Sequence, residues 1–465
     1  MSSSTLSIAS GARYAPPDRA AWWVALLLSL ALIGLVHDLQ YATALASDAA
    51  EAGIFVEEQA EFQSNVAAAK LGRKIGLASL LLVGVYCAVT APHSVRPEWN
   101  ALSLLIGAGL LWTLASLAWS VDPPHTLREL LRLFVYLFVA AMLAWRFDPR
   151  SLSRLLIIAL AICVGTAVCV EVATGGFRPW VSDYRLSGSM HSGAIGSYSM
   201  LLVVAAYAMA RRERAAIWWI AFVAAAITLL LSKALASLLA ASVGMATIHL
   251  LGKSKRSIAL GTCCAATLLA VGVLATSSMS FWSGLRSGRV EAFGRDYDFN
   301  SFNGRVPLWN AIAQELEGRR IGGFGYGAFW DTNRVEGFYD ELEWYASHAH
   351  SGYLGTVVHV GVVGLLLLLA VAVVATHRAC RRARDYGSGE HYVFASWMVA
   401  AFVISLAETG FVEPRDLALC TAAIVFSCAV SHDAAGATAR AHRSIDGATA
   451  GLRHLRPRPS EGRLA

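Results

Sequence analysis

Two histidines, His348 and His350, lie in the segment that runs from Trp344 to Leu354. An imidazole titrates near neutral pH, so a histidine at the boundary between water and lipid can take a proton from a sugar hydroxyl. Tyr353 adds a hydroxyl group to the same segment, and His348 and Tyr353 are candidate substrate contacts. The alternative is that these side chains only anchor a helix end at the membrane interface. Spacing alone leaves both interpretations open.

Three arginines, Arg178, Arg185 and Arg305, stand in segments that the charge pattern places outside the cytoplasm. A guanidinium binds phosphate oxygens through paired hydrogen bonds and stays charged when it is partly desolvated. A positive charge on the outer side also opposes the usual preference for cytoplasmic Lys and Arg, which favours a specific role. The alternative is a surface ion pair with a nearby carboxylate. Lys233 lies between two apolar runs, where it either contacts phosphate or extends to the membrane interface.

The chain shows no phosphate-binding Walker loop, dinucleotide fingerprint or zinc-protease motif. Paired carboxylates typical of a metal-dependent transferase are not evident either. The eight cysteines lie almost all within apolar runs and lack the paired spacing of a zinc site. We therefore predict no cofactor and no metal. The net charge of +6 does not indicate nucleic acid, because the basic residues cluster in short loops between apolar runs.

These residues must be positioned by helices that cross a membrane. The 465 residues are 56% hydrophobic and 15% charged, whereas an ordinary soluble domain has about 25% charged residues. The apolar runs are long enough to cross the hydrocarbon layer, which takes about 20 residues of helix. We predict an all-α, polytopic membrane protein with about 12 transmembrane helices. The predicted spans are 21–38, 75–91, 101–119, 130–146, 152–172, 193–210, 215–232, 234–251, 257–276, 350–376, 392–408 and 416–432.

Basic residues predict the orientation of these spans, because Lys and Arg in short loops favour the cytoplasm. Arginine and lysine clusters follow every second span from residues 146–154 onward, so both termini are expected in the cytoplasm. Residues 1–20 then form the cytoplasmic N-terminus, 21–432 the transmembrane domain and 433–465 a disordered cytoplasmic tail. The alternative for residues 1–46 is a cleaved signal peptide.

The longest extramembrane stretch, residues 277–349, is predicted on the outer side. Apolar residues recur within it at helical spacing, at Val306, Trp309, Ala313 and Leu316. They predict a short amphipathic helix that lies on the membrane or caps a cavity. The glycine-rich residues 322–327 that follow predict a mobile or tightly turning loop.

Taken in order, the motifs of this chain resemble those of the O-antigen ligase / polysaccharide polymerase family. They are Trp119-Ser-x-Asp-Pro123, Arg185-x-x-Gly188 followed by His191–Gly196, Leu231-Ser-Lys233, Gly304-Arg305-x-x-x-Trp309, Gly323–Phe329, and Ala349-His350-Ser351-x-Tyr353-Leu354 with Gly361 and Gly364. Lys233 stands where the family has arginine, and Ser351 where it has asparagine. The resemblance covers about residues 100–430, and the order and spacing of the motifs make it specific.

The resemblance implies a bacterial inner-membrane glycosyltransferase that uses an undecaprenyl-diphosphate-linked glycan donor on the periplasmic side, without metal or nucleotide. It implies that His350 is the base that activates the acceptor hydroxyl. Arg185 and Arg305 would bind the diphosphate and stabilise the charge that builds on the leaving group. Arg178 and Lys233 would be further contacts of the donor.

The acceptor stays open at this point. A polymerase extends another lipid-linked glycan, a ligase modifies lipid A–core, and a third variant modifies protein. The implied partners are the donor, one of these acceptors, membrane lipids and, for a polymerase, optionally a chain-length regulator. The Trp119–Pro123 turn and Ala407-Glu408-Thr409 favour a polymerase slightly. A transporter is the alternative from another class, and it is less favoured because the apolar spans are mostly uninterrupted.

Overall fold

The structure is a computed structural model that describes residues 19–36, 70–91, 99–181, 184–251, 289–292, 295–298, 305–342, 346–409 and 416–430. These residues form thirteen α-helices and one two-stranded antiparallel hairpin. The helices are α1 Arg19–Val36, α2 Lys70–Thr90, α3 Ala101–Ala115, α4 Pro123–Arg146, α5 Pro149–Ala173, α6 Ser192–Glu213, α7 Ala216–Leu231, α8 Leu235–Leu251, α9 Arg305–Glu315, α10 Thr332–Leu342, α11 Gly352–Tyr386, α12 Gly389–Ile404 and α13 Asp416–Ala429. The strands are β1 Arg289–Ala292 and β2 Arg295–Asp298. The predicted all-α class is thus confirmed, apart from this short hairpin in the predicted outer stretch.

Within the described ranges, five helical segments are long and apolar enough to cross a membrane, namely α2 from Gly72, α3 with the 3-10 turn to Trp119, α5, α6 and α11. Five other helices, α1, α7, α8, α12 and α13, have apolar stretches of 10–17 residues. Helix α4 carries charged residues in its first turns and belongs to neither group. The predicted span 257–276 lies outside the described residues. The count of about 12 spans therefore stays a prediction.

The helix ends follow local sequence signals. Asn100, Asp122 and Asp148 precede α3, α4 and α5, and each side chain accepts a hydrogen bond from a first-turn amide. Prolines occupy the first turn of α4 and α5, where a missing N–H removes no helical hydrogen bond. Only residues 232–234 separate α7 from α8. This short break lies where the sequence predicts a tight hairpin.

Helix α6 is the most enclosed of the five long helices. Of the residues in its apolar stretch, 83% are buried, compared with 11–50% in the other four. Its sequence is rich in Gly, Ala and Ser, which let neighbouring backbones approach closely. Helices α7, α8 and α12 pack around it. Trp397 of α12 donates its indole N–H to the carbonyl of Leu201 in α6 at 2.8 Å. This bond ties α12 to the middle of α6.

Helix α11 extends further than the sequence predicts and is kinked. It has 35 residues and ends at Tyr386 rather than at residue 376, because the basic residues after the apolar run continue the helix. Its length of about 52 Å exceeds the hydrocarbon layer of about 30 Å. The kink lies at Gly361, with φ of 71° and ψ of −178°. A Cβ atom there would lie 1.8 Å from the carbonyl oxygen of Ile321, so glycine is required for this approach.

Helices α9 and α10 share a small apolar core with the start of α11. It is formed by Leu308, Ala311, Ile312, Leu316, Phe324, Phe329, Phe338, Ala346, Ala349 and Val358. The predicted amphipathic helix is therefore present as α9, and of its predicted apolar face Leu316 is buried and Val306 and Trp309 are partly buried. Ala313 is exposed, and Leu308, Ala311 and Ile312 form the buried face, because α9 packs against protein on that side.

Candidate functional site

The start of α11 is joined to the end of α12 by backbone hydrogen bonds. The amide of Gly352 donates to the carbonyl oxygens of Ser405, at 2.9 Å, and Glu408, at 2.8 Å. A Cβ atom on Gly352 would lie 2.9 Å from the carbonyl oxygen of Thr409, so only glycine fits there. This contact brings the turn after α12 beside His350, which directly precedes the cap of α11. His350 itself has a φ of 45°, in the left-handed region that few non-glycine residues adopt.

His348, His350 and Glu408 form a compact cluster. One ring nitrogen of each histidine and one carboxylate oxygen of Glu408 all lie within 4.8 Å of one another. The two imidazole rings have centroids 3.9 Å apart and an interplanar angle of 35°. Arg305 joins them, because its Nη2 lies 3.1 Å from Oε1 of Glu408. Two of the predicted catalytic residues, His350 and Arg305, are therefore brought together through Glu408.

Helix α9 positions Arg305 by two attachments. Its buried face anchors it in the small core that also contains Ala349. Trp309, one turn after Arg305, donates its indole N–H to the carbonyl oxygen of Ala349 at 2.9 Å. Residues four apart lie on one helix face, so the spacing of Arg305 and Trp309 directs both toward the histidine segment.

The segment around Arg185 is held by α5 and by the end of α7. The amide of Leu186 donates to the carbonyl of Leu231 at 2.9 Å, and Nε of Arg185 donates to the carbonyl of Ser232 at 3.4 Å. Glu171 is a buried carboxylate near the end of α5. Its Oε2 accepts hydrogen bonds from the amides of Ser187, at 3.0 Å, and of Gly188.

Two further features show how tightly this segment is built. Gly188 has a φ of +64°, and a Cβ atom on it would lie 2.4 Å from the carbonyl oxygen of Ala167 in α5. Burial, followed by the neighbouring Glu171 carboxylate, raises the pKa of the Tyr184 phenol well above its usual range. The phenol is therefore neutral at any physiological pH.

The first turn of α6 links the two groups of residues. Nδ1 of His191 accepts a hydrogen bond from the amide of Gly193 at 3.1 Å, so His191 caps the helix. A Cβ atom on Gly193 would lie 3.8 Å from Oε1 of Glu408. One turn later, a Cβ atom on Gly196 would lie 2.4 Å from the Cβ of Ala234, which follows Lys233. The start of α6 therefore contacts the Glu408 cluster on one side and the α7–α8 turn on the other.

The remaining predicted site residues make other contacts. Lys233 lies in the α7–α8 turn with a φ of 51°. Arg178 is exposed, and its Nε donates to the carbonyl of Gly175 within its own turn at 3.3 Å. The hydroxyl of Tyr353 donates to the carbonyl of Phe402 in α12 at 2.8 Å, which ties α11 to α12.

The glycine-rich segment bridges the Trp119–Pro123 turn and the kink of α11. The carbonyl of Gly322 accepts the indole N–H of Trp119 at 2.7 Å. Phe324 accepts from the amide of Val121 at 3.0 Å and donates to the carbonyl of Val358 at 2.9 Å. Three motifs that are far apart in sequence thus pack against one another.

An apolar cavity lies beside this junction, between α3, α4, α11 and α13. Its volume is about 190 Å³, and Tyr326, Thr356 and Val360 are among the residues that line it. Thr356 lies four residues after Gly352, the first residue of α11, which is about 6 Å along the helix. Most of the lining side chains are apolar, which suits contact with part of a hydrocarbon chain.

Sequence reasoning missed Glu171 as a functional candidate, and it noted Glu408 only as part of a motif. A signal for Glu171 exists, because it is an ionisable residue inside the predicted span 152–172. Such residues are rare in membrane spans and mark functional sites. Glu408 stands at the end of a predicted span, and its role depends on contacts with residues more than 50 positions earlier.

Residues 220–369 match a family model described as O-Antigen ligase, Wzy_C. The resemblance to the O-antigen ligase and polymerase family is thus confirmed over 150 of the 465 residues. The matched range contains Lys233, Arg305, His348 and His350, whereas Arg185 and Glu408 lie outside it. No curated protein matches the chain at a significant level. The match indicates a membrane protein with a glycan-related function of the O-antigen ligase or polymerase type.

Proposed function

We propose that this protein is a glycosyltransferase that transfers or polymerises an undecaprenyl-diphosphate-linked oligosaccharide on the periplasmic side of the bacterial inner membrane. The observation that carries the proposal is the cluster of His350, His348, Glu408 and Arg305 beside the start of α6. It combines a proton acceptor with a cation at the end of a helical bundle. The match of residues 220–369 to the family model supports the same class of reaction.

The charge distribution favours the periplasmic side for this cluster. The clustered arginines lie at the opposite ends of the helices that build the site. Arg154 at the start of α5 pairs with Glu213 at the end of α6 at 2.8 Å, and Arg212 lies over the ring of Tyr392 at the start of α12. By the rule that basic loops stay in the cytoplasm, the other helix ends, where His350 lies, face the periplasm.

In the proposed reaction, the acceptor hydroxyl oxygen forms a bond to the anomeric carbon of the donor sugar. The bond between that carbon and the diphosphate oxygen breaks, and its electron pair leaves with the diphosphate. The hydroxyl proton passes to a ring nitrogen of His350. Glu408 stabilises the imidazolium that forms, and Arg305 and Arg185 offset the charge on the leaving diphosphate. The apolar cavity near Thr356 suits the hydrocarbon chain of the donor.

The test is transfer by purified protein in lipid nanodiscs with a lipid-linked oligosaccharide as donor. His350→Ala should lower the rate by about 10²–10⁴-fold, the usual contribution of a general base. Arg305→Ala should lower it by about 10²–10³-fold, as for loss of a group that stabilises developing charge. Arg320→Ala is the matched control, since this arginine of the same outer segment is 67% exposed and pairs only loosely with Glu317 at 4.0 Å. Equal loss in the control would point to general damage, and an active His350→Ala protein would refute the proposal.

The position of the product distinguishes the acceptors. We expect longer chains that remain on the polyprenyl lipid, as for a polymerase. Product attached to lipid A–core would instead identify a ligase. Movement of intact donor across the bilayer without a new glycosidic bond would identify a transporter.

A further inference from the structure

We propose that His348, His350 and Glu408 form a binding site for a divalent transition-metal ion such as Zn²⁺, and that the bound ion inhibits the enzyme. The inhibitory half rests on the proposed function, because it requires His350 to act as the base. The binding half rests only on the three side chains and their surroundings.

The geometry suits a metal with nitrogen and oxygen ligands. Two imidazoles and one carboxylate offer ligand atoms that all lie within 4.8 Å of one another. In a tetrahedral zinc site, bonds of about 2.0–2.1 Å place the ligand atoms about 3.3 Å apart. To bind a metal in this way, side-chain rotations must bring the ligand atoms closer by up to about 1.5 Å. Within the described part of the chain, this is the one group of three such side chains that come together.

The ligands are held by backbone contacts that do not depend on a metal. His348 and His350 precede α11, and Glu408 follows α12. The two segments are joined where the Gly352 amide donates to both Ser405 and Glu408. His348 is 7% exposed, whereas the Glu408 side chain is 25% exposed. The site is therefore largely enclosed but open to solvent on the side of the carboxylate.

Arg305 is the group that opposes a cation here. Its Nη2 lies 3.1 Å from Oε1 of Glu408, so a metal must either use the second carboxylate oxygen or displace the guanidinium. Removal of this positive charge should therefore tighten metal binding on the order of tenfold or more. Because Arg305 weakens metal binding, the ion can dissociate again, which suits inhibition better than a permanent structural role.

Metal binding and proton transfer exclude each other at His350. A ring nitrogen that donates its lone pair to a metal cannot accept the proton of the acceptor hydroxyl. The ion would also compete with Arg305 for Glu408, and so disturb the cation that faces the leaving group. The expected consequence is inhibition by Zn²⁺ that a chelator reverses.

The experiment measures Zn²⁺ binding by calorimetry on chelator-treated protein purified with a tag that contains no histidine. We expect one ion per chain in the wild type. His348→Ala and Glu408→Gln should each weaken binding at least tenfold, and Arg305→Gln should strengthen it. His377→Ala is the matched control, since His377 lies exposed near the other end of the same helix. Monodisperse gel filtration of each variant checks the fold.

Each outcome decides a different point. Unchanged binding in His348→Ala, or equal weakening in His377→Ala, would overturn the site. Weaker binding in Arg305→Gln would overturn the competition with Glu408. Binding without donor or acceptor separates the site from the proposed function: a protein that binds Zn²⁺ but never transfers glycan would refute only the function. Transfer that continues at saturating Zn²⁺ would refute the inhibition.

Discussion

Replacement of Glu171 should release the Arg185 segment without unfolding the helical bundle. The carboxylate is buried and accepts two backbone hydrogen bonds, from Ser187 and Gly188. A hydrogen bond to a charged acceptor contributes about 1.5–3 kcal/mol. In Glu171→Ala both bonds are lost. The observed conformation of the segment should therefore lose about 3–6 kcal/mol of stability relative to conformations in which the segment is detached. Glu171→Gln keeps a neutral acceptor and should lose about half of that amount.

Two measurements check this prediction. Hydrogen exchange at the amides of Ser187 and Gly188 should become faster in both variants, and more so in Glu171→Ala. The apparent KM for the lipid-linked donor should rise at least tenfold in Glu171→Ala, because every 1.4 kcal/mol removed from the competent conformation is a factor of ten. We expect kcat at saturating donor to change less than KM, since His350 keeps its position.

The matched control is Glu213→Gln. Glu213 is also a mostly enclosed carboxylate, and it pairs with Arg154 at 2.8 Å at the opposite end of α6. Its replacement should lower thermal stability without a change in the donor KM. If the amide hydrogens of Ser187 and Gly188 exchange no faster in Glu171→Ala than in the wild type, the carboxylate does not hold the segment. If exchange is faster but the donor KM is unchanged, Arg185 does not bind the donor.

Two further replacements test other parts of the site. Gly361→Ala places a side chain at a φ of 71° and 1.8 Å from a backbone oxygen, so thermal unfolding in detergent should show a strong loss of stability. Gly355→Ala in the same helix is the control, because nothing lies within 4 Å of the added methyl group, and it should be neutral or stabilising by up to about 1 kcal/mol. Equal melting temperatures for the Gly361→Ala and Gly355→Ala proteins would contradict this reasoning. Trp309→Phe removes the hydrogen bond to the carbonyl before His350 and should cost about 1 kcal/mol and lower kcat several-fold. Trp330→Phe is its control, because among the residues that the structure describes the Trp330 indole nitrogen has no hydrogen-bond partner. An equal loss of kcat in both variants would assign the effect to packing.

Some assignments followed from the sequence because they depend on local signals. Long apolar runs identify a membrane protein, and capping residues such as Asp148 with Pro149 mark helix starts. The break at Ser232–Lys233 between α7 and α8 was predicted from a charge within an apolar run. The family was recognised from the order of short motifs, which the family model confirms over residues 220–369. The roles of His350, Arg185 and Arg305 in the reaction stay predictions.

Other assignments were wrong or missing because they depend on packing. The apolar face of α9 was predicted only in part, because periodicity locates an apolar stripe but not the neighbouring element that covers it: Leu316 is buried, whereas Ala313 is exposed. The extension of α11 beyond its apolar run was missed because hydropathy indicates which residues lie in the hydrocarbon layer, and the helix continues past them through basic residues. Helix α4 begins with charged turns, so composition alone does not decide whether it spans the membrane.

By itself, the amino-acid sequence determined the membrane class, most helix positions and the types of side chain available for chemistry. The tertiary structure alone decided that Glu408 links Arg305 to the two histidines, across 103 residues from Arg305. It also decided that Glu171 holds the Arg185 segment. The physical reason is that hydropathy and helix capping act over a few neighbouring residues, whereas an ion pair forms wherever helix packing brings two side chains together.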